Sequence, residues 1–371
     1  MSTSKLRFGI LGTANIARKN WKAILDSGNS TVVAVASRDS KKAAQFIADC
    51  QANAPMESPP VALGSYEELL ARKDVDAIYL PIPTGLRKEW VVRAAAAGKH
   101  IVSEKPCASN EAEMREMLNA CAKNRVQFMD GVMFVHTQRL ARIGEVLTEG
   151  KSVGKIRRID SAFSFCAGPE FFGTNIRTLA GLEPLGCLGD LGWYCIRFSL
   201  WAMNWQMPRE VTGRTLSSHG GTGRDSVPTE FSGELVFEGG VSAGFYCSFI
   251  TSNQEWANVS GTEGYLRVDD FVLPMSNQEP SFDVCQIRSR KTSNGSVAEA
   301  NVQRMTVSEL ADGAPTSQEA SQFRNFSNQV RSGKLNESWP DMALKTQIVT
   351  SQCFEVARNL PPSEISLVAN V

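Results

Sequence analysis

The stretch from Lys5 to Arg38, KLRFGILGTANIARKNWKAILDSGNSTVVAVASR, constrains this chain more than any other. Apolar residues Leu6 to Leu11 predict a strand, Gly12-Thr13-Ala14 break it, a helical pattern starts at Asn15, and Thr31 to Ala36 predict a second strand. Strand, tight turn, helix and strand within about 30 residues make a βαβ unit, the building block of a parallel sheet. Gly9 and Gly12 bracket the passage from strand to turn, where a missing Cβ lets backbone amides approach an anion. A helix beginning at Asn15 and Ile16 would aim its positive end at that anion. The usual glycine fingerprint is degraded, with Ala14 and Ala17 at its second and third small positions. The unit therefore has two readings: a diphosphate cradle formed by Gly9, Gly12, Thr13, Ala14, Asn15 and Ile16, or a plain βαβ unit with a structural glycine turn.

The tip of the second strand bears on the ligand. An NAD site usually carries an acid there for the ribose 2′-hydroxyl, whereas an NADP site lacks the acid and offers a cation. Here the strand ends Val35-Ala36-Ser37-Arg38, and Asp39 comes later. Ser37 can hydrogen-bond a 2′-phosphate and Arg38 can pair with it, which favours NADP while leaving NAD possible. The other reading of Arg38 is a surface arginine in a strand–helix loop.

A chain of 371 residues exceeds the size at which one core keeps growing, so two domains are expected, 1–131 and 132–371. With 39 basic and 39 acidic residues the net charge is zero, which argues against a nucleic-acid or membrane-surface role. The start, MSTSKLRFG, runs almost at once into a core strand, so no signal or transit peptide is expected and the protein is read as cytoplasmic. No stretch approaches the ~20 apolar residues of a membrane helix. The nine cysteines are scattered and no two have zinc-site spacing, and there are only three histidines, so no metal is expected and the thiols are read as reduced.

Strands and helices keep alternating through the first third. Helices are predicted at Ser40–Ala48, at Ser65–Arg72 behind a Ser65/Glu68 capping box, at Leu86–Ala97 and at Asn110–Asn124. Strands are predicted at Ala77–Leu80, His100–Val102 and Val126–Met129, and Ala54–Pro60 is predicted to be a loop. This predicts a parallel, doubly wound sheet with ligands at the strands' carboxyl ends. Gly12–Asn15, Leu80–Gly85 and Ser103–Pro106 stand at that edge. Past Gly131, a helix at Gln138–Glu149 is followed by strand patterns at Ile156–Cys166, Glu210–Leu216, Phe231–Phe237, Val241–Phe249, Trp256–Ser260 and Tyr265–Val268. Glu238-Gly239-Gly240 predicts a hairpin turn. The second half should thus hold a large, open, mainly antiparallel sheet, with one face free for a partner copy of the chain. Residues 289–319 read as an exposed excursion, and closing helices are expected near 321–331 and 342–360.

Two groups of residues have the makings of chemistry. In Ser103-Glu104-Lys105-Pro106 the residue before proline is held extended, aiming Lys105 at the crevice; beside a positive nicotinamide its pKa would fall and it could share a proton with a substrate hydroxyl. The alternative is a solvated loop lysine. In Leu185 to Arg197, two glycines precede a helix with Asp190 in its first turn, Tyr194 at i+4 and Arg197 at i+7, a polar face in an apolar helix. Such a face must find partners or line a cavity. The alternative has Asp190 as a cap, Tyr194 as a core residue and Arg197 on the surface.

Taken in order, GILGTANIA, AVASRD, LPIPT, GKHIVSEKP, MDGVMFVH and LGCLGDLGWYCIR resemble the Gfo/Idh/MocA family of nicotinamide-dependent oxidoreductases. The resemblance is greatest to the branch with dimeric dihydrodiol dehydrogenase, NADP-linked xylose dehydrogenase and their plant and microbial relatives. It implies a Rossmann domain followed by an open-sheet α/β domain that supports a homo-oligomer, most simply a dimer. It implies NADP-dependent hydride transfer to or from a sugar-like or vicinal-diol hydroxyl. It implies catalytic roles for Lys105, Tyr194 and Asp190, and cofactor contacts that include Pro81, Pro83, Thr84, Glu104 and Lys105. The segments that would line the substrate side contribute Met133, Phe134, His136 and Arg177. Two positions depart from the family pattern: Arg87, where relatives often have histidine, and Cys187, at a usually small position. A different class remains open, a nucleotide-binding regulator that kept the fold without turnover.

Overall fold

The computed structural model describes residues 5–221, 225–275, 279–293, 295–309 and 317–359. The βαβ unit forms as expected: β1 (Leu6–Leu11), α1 (Asn15–Asp26) and β2 (Ser30–Ala36). There follow α2 (Ser40–Asn53), β3 (Val61–Leu63), α3 (Tyr66–Ala71), β4 (Ala77–Leu80), α4 (Thr84–Ala96), β5 (His100–Ser103), α5 (Glu111–Lys123) and β6 (Phe128–Asp130). The six strands are parallel in the order β3-β2-β1-β4-β5-β6. This is the doubly wound order, and its reversal between β1 and β4 opens a crevice at the carboxyl ends. The sequence reading has no counterpart for β3, a half-exposed edge strand of three residues with too little apolar pattern to be legible.

The second sheet is preceded by α6 (Gln138–Glu149) and built from β7 (Ile156–Cys166), α7 (Pro169–Thr174), α8 (Trp193–Ala202), β8 (Glu210–Gly220), β9 (Ser226–Val236), β10 (Ser242–Ser248), β11 (Ile250–Gly261), β12 (Tyr265–Val268), β13 (Ser281–Thr292) and β14 (Gly295–Thr306). Its order is β14-β13-β12-β11-β7-β10-β9-β8. Every pairing is antiparallel except β7 with β10, because β7 is inserted between the consecutive strands β10 and β11. The predicted turn joins β9 to β10, with Gly239 at φ 73° and Gly240 at φ 75°.

Most of the expected excursion at 289–319 is exposed as read, but it is regular: up to Thr306 it completes the β13–β14 hairpin, paired from Ser281–Thr306 to Thr292–Gly295, and its last residues are the buried start of the next helix. Almost all of β14 is exposed, so no alternation of apolar residues marked it. Residues 294 and 310–316 of that stretch lie outside the described residues.

Two helices close the chain, α9 (Gln318–Arg331) and α10 (Ser338–Asn359). Both begin earlier than expected. The Ser317 hydroxyl caps α9 by accepting from the Ala320 amide, and Pro340 sits in the first turn of α10, where its missing N–H costs nothing. Leu360, the expected end of the last helix, lies outside the described residues.

Although it follows the second sheet in sequence, α9 packs on the first. The Phe323 ring stands edge-on to Phe8 at 5.5 Å and to Tyr79 at 5.6 Å, and the Asn29 amide donates to Asn328 at 2.9 Å. Phe323 and Phe326 thus join Phe8, Trp21, Val32 and Phe46 in the core beneath α1 and α2. A wall of the crevice therefore comes from the far end of the chain.

In the second sheet, alternation puts Phe231, Leu235, Ala243, Phe245 and Val259 in the core shared with α8. The opposite face presents polar and aromatic groups. Arg158 bridges Asp160 at 2.7 Å and Glu234, while the Tyr246 hydroxyl meets Glu230.

Candidate active site

Between the two sheets lies a crevice of ≈ 650 Å³. At its first-sheet end, Gly12 takes φ 116°, a conformation side chains rarely adopt, and turns the chain into α1. The N-cap of α1 is Ala14, with no side-chain cap and no acid in the first turn. The leading amides are thus left for an anion, which fits the diphosphate of a dinucleotide. Ala14, Asn15, Ile16, Pro81 and Pro83 line the crevice beside Glu104 and Lys105. At the end of β2, the Asp39 carboxylate caps α2 by accepting from the Lys41 amide, which takes it from a ribose, while Arg38 is exposed.

At the other end, two cations share one carboxylate. Lys105 Nζ donates to Asp190 Oδ1 and to the Asp190 carbonyl, each at 2.6 Å, and Arg177 Nε donates to Asp190 Oδ2 at 2.7 Å. Burial would push the Asp190 carboxyl up; Arg177 and then Lys105 outweigh it and hold it at about 2. Tyr194 is 6% exposed, with Lys105 Nζ 4.7 Å above its ring centroid and its hydroxyl donating to Met133 Sδ at 3.8 Å. Burial raises the phenol well above its ordinary value, helped by Glu104, Asp190 and Glu319 and opposed by Arg177.

The local sequence builds this geometry through an irregularity. Leu188–Gly192 forms a π-helical turn ahead of α8, so Asp190 precedes the regular helix instead of sitting in its first turn. A Cβ on Gly189 would fall 2.7 Å from Leu185 Cβ and 3.0 Å from Pro106 Cγ, so glycine lets the turn approach the loop that carries Lys105. The expected shared face divides between two sets of partners. Asp190 and Tyr194 meet at Lys105, whereas Arg197 is buried against Asp130 at the end of β6.

Other predicted residues stand behind the crevice. A Cβ at Gly9 would meet Leu69 and Ile78, so that glycine serves packing. Ser37 is buried and its amide donates to the Leu63 carbonyl at 3.2 Å. Thr84 is buried, its amide and hydroxyl both engaged by Glu183. Met133 lines the crevice, but Phe134 packs beneath, 6.2 Å from the Tyr194 ring and 5.7 Å from Phe271. His136 lies beyond the lining, 3.3 Å from the Asn325 amide and 6.0 Å from the Trp339 ring. Burial, then Arg197, pulls its imidazole down to about 4.

Some supporting roles escaped the sequence reading, including those of Arg87 and Cys187, which it named only as departures from the family pattern. The Tyr79 hydroxyl donates to Glu104 Oε1 at 2.7 Å and accepts from Asn20, fixing the glutamate beside Lys105. Arg87 is buried and ties the Ile82 carbonyl, at 2.8 Å, to the Pro106 carbonyl, so it joins the proline tip to the lysine loop. Cys187 is buried with its Sγ 4.0 Å from Cys247 Sγ. Glu319 and Gln322 of α9 also line the crevice. No local signal marks these partners: Arg87 reaches Pro106 across 19 residues, Tyr79 reaches Glu104 across 25, and Cys187 meets Cys247 across 60. Among the described residues no group of three or more His, Cys, Asp or Glu is placed to hold a metal, and no helix is long and apolar enough to cross a membrane.

A dinucleotide cradle facing an ion-paired lysine and a buried tyrosine defines a class, nicotinamide-dependent oxidoreductases. Residues 6–132 match the model of the oxidoreductase family with an NAD-binding Rossmann fold, and residues 141–267 match the GFO/IDH/MocA C-terminal domain. The chain belongs to the Gfo/Idh/MocA oxidoreductase family. It is 30% identical to D-xylose 1-dehydrogenase (NADP(+)) 2 of Haloferax volcanii over 74% of this chain and 78% of the relative. It is 31% identical to trans-1,2-dihydrobenzene-1,2-diol dehydrogenase of Mus musculus over 72% of this chain and 76% of the relative. Its fold matches a 3-ketoreductase of Actinomadura kijaniata in complex with NADP and TDP-benzene, with TM-score 0.78 and 24% identity over 95% of this chain and 98% of that one.

Proposed function

We propose that this protein is an NADP-dependent oxidoreductase that moves hydride between nicotinamide and the carbinol or carbonyl carbon of a sugar-like or vicinal-diol substrate. The observation that carries the reading is the convergence of Lys105, from the edge of the first sheet, with Asp190 and Tyr194 from the second. The bound nicotinamide supplies the hydride chemistry. The chain supplies position and protons. The amides at Ala14 to Ile16 would receive the diphosphate, the exposed Arg38 would pair with the 2′-phosphate, and Glu104 with Pro81 and Pro83 would border the nicotinamide end.

Asp190 holds the Lys105 side chain in place at the crevice. Two of the three N–H groups on Lys105 go to Asp190, leaving one for a substrate oxygen. The Tyr194 hydroxyl, neutral at physiological pH because burial raises its pKa, gives its proton to a carbonyl oxygen in reduction. That step leaves a phenolate, which the Lys105 ammonium favours, and in oxidation the phenolate takes the proton of the substrate hydroxyl.

The names of the sequence relatives support NADP and this substrate range. The division at 131/132 assigns the dinucleotide to the first unit and most of the substrate wall to the second. A homodimer would cover the open face of the second sheet. Eight of the nine cysteines are buried thiols, which agrees with a reducing, cytoplasmic setting.

The test is NADPH formation or consumption against a panel of aldoses, ketoses and trans-diols. NADP-linked turnover of a panel member supports the assignment. Tight NADP binding with no turnover across the panel would return the reading to a nucleotide-binding regulator.

A further inference from the structure

Arg177 differs from the other cations of the crevice in what its side chain leaves undone. Arg87 is buried and bonded to the Ile82 and Pro106 carbonyls, Lys105 is held by Asp190, and Lys19 pairs with Glu319 at 2.8 Å. Arg177 makes its one side-chain hydrogen bond through Nε, to Asp190 Oδ2 at 2.7 Å. Neither of its Nη groups makes a hydrogen bond among the described residues, and the half-exposed guanidinium lines the crevice beside Asp190 and Tyr194.

The arginine is also placed by a built support. Its amide donates to the Asn175 side chain at 3.0 Å, and the Thr178 hydroxyl closes the same turn onto the Asn175 carbonyl at 2.8 Å. Farther along, the segment between α7 and α8 is fastened to the first sheet's side. The Gly85 amide donates to the Leu182 carbonyl at 2.9 Å, and Glu183 takes the amide and hydroxyl of Thr84. The guanidinium is thus pinned at one end and held on an anchored segment, so little ordering remains to be done when a ligand arrives.

Asp190 is shared between Lys105 and Arg177, so neither cation has a carboxylate to itself. Glu183 bears on Arg177 through space, but its oxygens accept from the amide and hydroxyl of Thr84 at the start of α4. The Nη edge is therefore still open to a ligand, and the two oxygens of a carboxylate match the parallel Nη–H donors of a guanidinium. Because Lys105 and Arg177 hold the two oxygens of one side chain, the Nη edge stands close to the place where Lys105 and Tyr194 would serve the reacting carbon.

We infer that the substrate is a sugar acid, a polyhydroxylated molecule with a carboxylate a few bonds from its reacting carbon, and that Arg177 receives that carboxylate through its two Nη groups. This rests on the oxidoreductase reading above and narrows its substrate class. Arg177 then determines specificity, acting on substrate binding more than on the chemical step.

Three ligands with one carbon skeleton test it on the NADP-loaded protein: D-glucose, D-glucuronate and D-glucose 6-phosphate. The wild type should favour glucuronate over glucose by 10-fold or more in kcat/KM, chiefly through KM. Arg177→Gln should bring that ratio near unity, and Arg177→Lys should keep part of it. Because Arg177 also touches Asp190, the variants are read by the ratio, in which a general loss cancels. An unchanged ratio in Arg177→Gln overturns the inference, and a preference for the phosphate overturns the carboxylate assignment.

Thermal shift gives a readout without turnover. If glucuronate raises the Tm of the NADP-loaded wild type but not of Arg177→Gln, the carboxylate site stands even where no panel compound is oxidised and the enzyme reading fails. No shift together with no preference rules the site out.

Discussion

Arg197 lies three residues beyond Tyr194 on α8 and forms an ion pair with Asp130 at the end of β6, the two side chains only 1% and 5% exposed. Through this pair the helix that carries the tyrosine is fixed to the sheet that carries Lys105. Asp130 is followed by Gly131, where an added Cβ would fall 3.2 Å from the Glu104 carboxylate, and soon by Met133, which accepts from the Tyr194 hydroxyl.

Breaking one side of the pair should therefore cost more than removing both. Arg197→Met leaves Asp130 buried and unpaired, with an expected loss of about 3–5 kcal/mol. The double variant Arg197→Met/Asp130→Leu should recover most of that stability. Chemical denaturation of the two proteins checks this; a double variant no more stable than the single one would show that the pair is not the source of the loss.

Arg38 is expected to separate the cofactors. Arg38→Ala should weaken NADP by about 2 kcal/mol and leave NAD nearly unaffected, because a charge-assisted bond to the 2′-phosphate is lost. Fluorescence titration with both cofactors decides; equal losses would remove Arg38 from the phosphate site.

Much of the first domain was legible because its signals are local. The Leu6–Leu11 strand, the Gly12 turn and the helix from Asn15 follow one another within a single unit, and the alternation continues to Asp130. The Lys105 and Asp190 motifs were visible as polar groups in apolar surroundings. Their mutual contact was not, since it spans 85 residues of sequence. The π-turn was hidden as well: nothing in Leu188-Gly189-Asp190 announces the irregularity that places Asp190 ahead of the regular helix. The exposed hairpin β13–β14 lacks apolar alternation, and the return of α9 to the first sheet is a tertiary event with no local signal.

The depressed Asp190 carboxyl predicts a pH effect of defined sign. With a folded value of about 2, against an ordinary value near 4, its ion pairs stabilise the fold fully above pH ~4, and that contribution is lost as pH falls toward 2. The size is roughly 2 kcal/mol. Asp190→Asn should thus be less stable than wild type at pH 5, with the difference shrinking toward pH 2. A gap independent of pH over that range would contradict the assignment.

The outer face of the second sheet predicts association. Arg158, Asp160, Glu234 and Tyr246 form a partnered polar surface on a sheet whose other face is covered by α8. Light scattering at micromolar concentration should give twice the mass of one chain. A species of single-chain mass across the concentration range would remove the dimer from the account.

The central claim is that Tyr194 and Lys105 act as one proton-handling unit. Steady-state turnover of Tyr194→Phe, Lys105→Met and the double variant, on the best panel substrate, tests it most directly. Tyr194→Phe keeps the ring in its packing against Phe134 and Phe163 and removes only the hydroxyl. The account predicts that each single variant loses roughly 10²–10⁴ in kcat with NADP affinity little changed, and that the double variant is only slightly worse than either. Wild-type-like turnover in a folded Tyr194→Phe protein, or losses that multiply in the double variant, would contradict it.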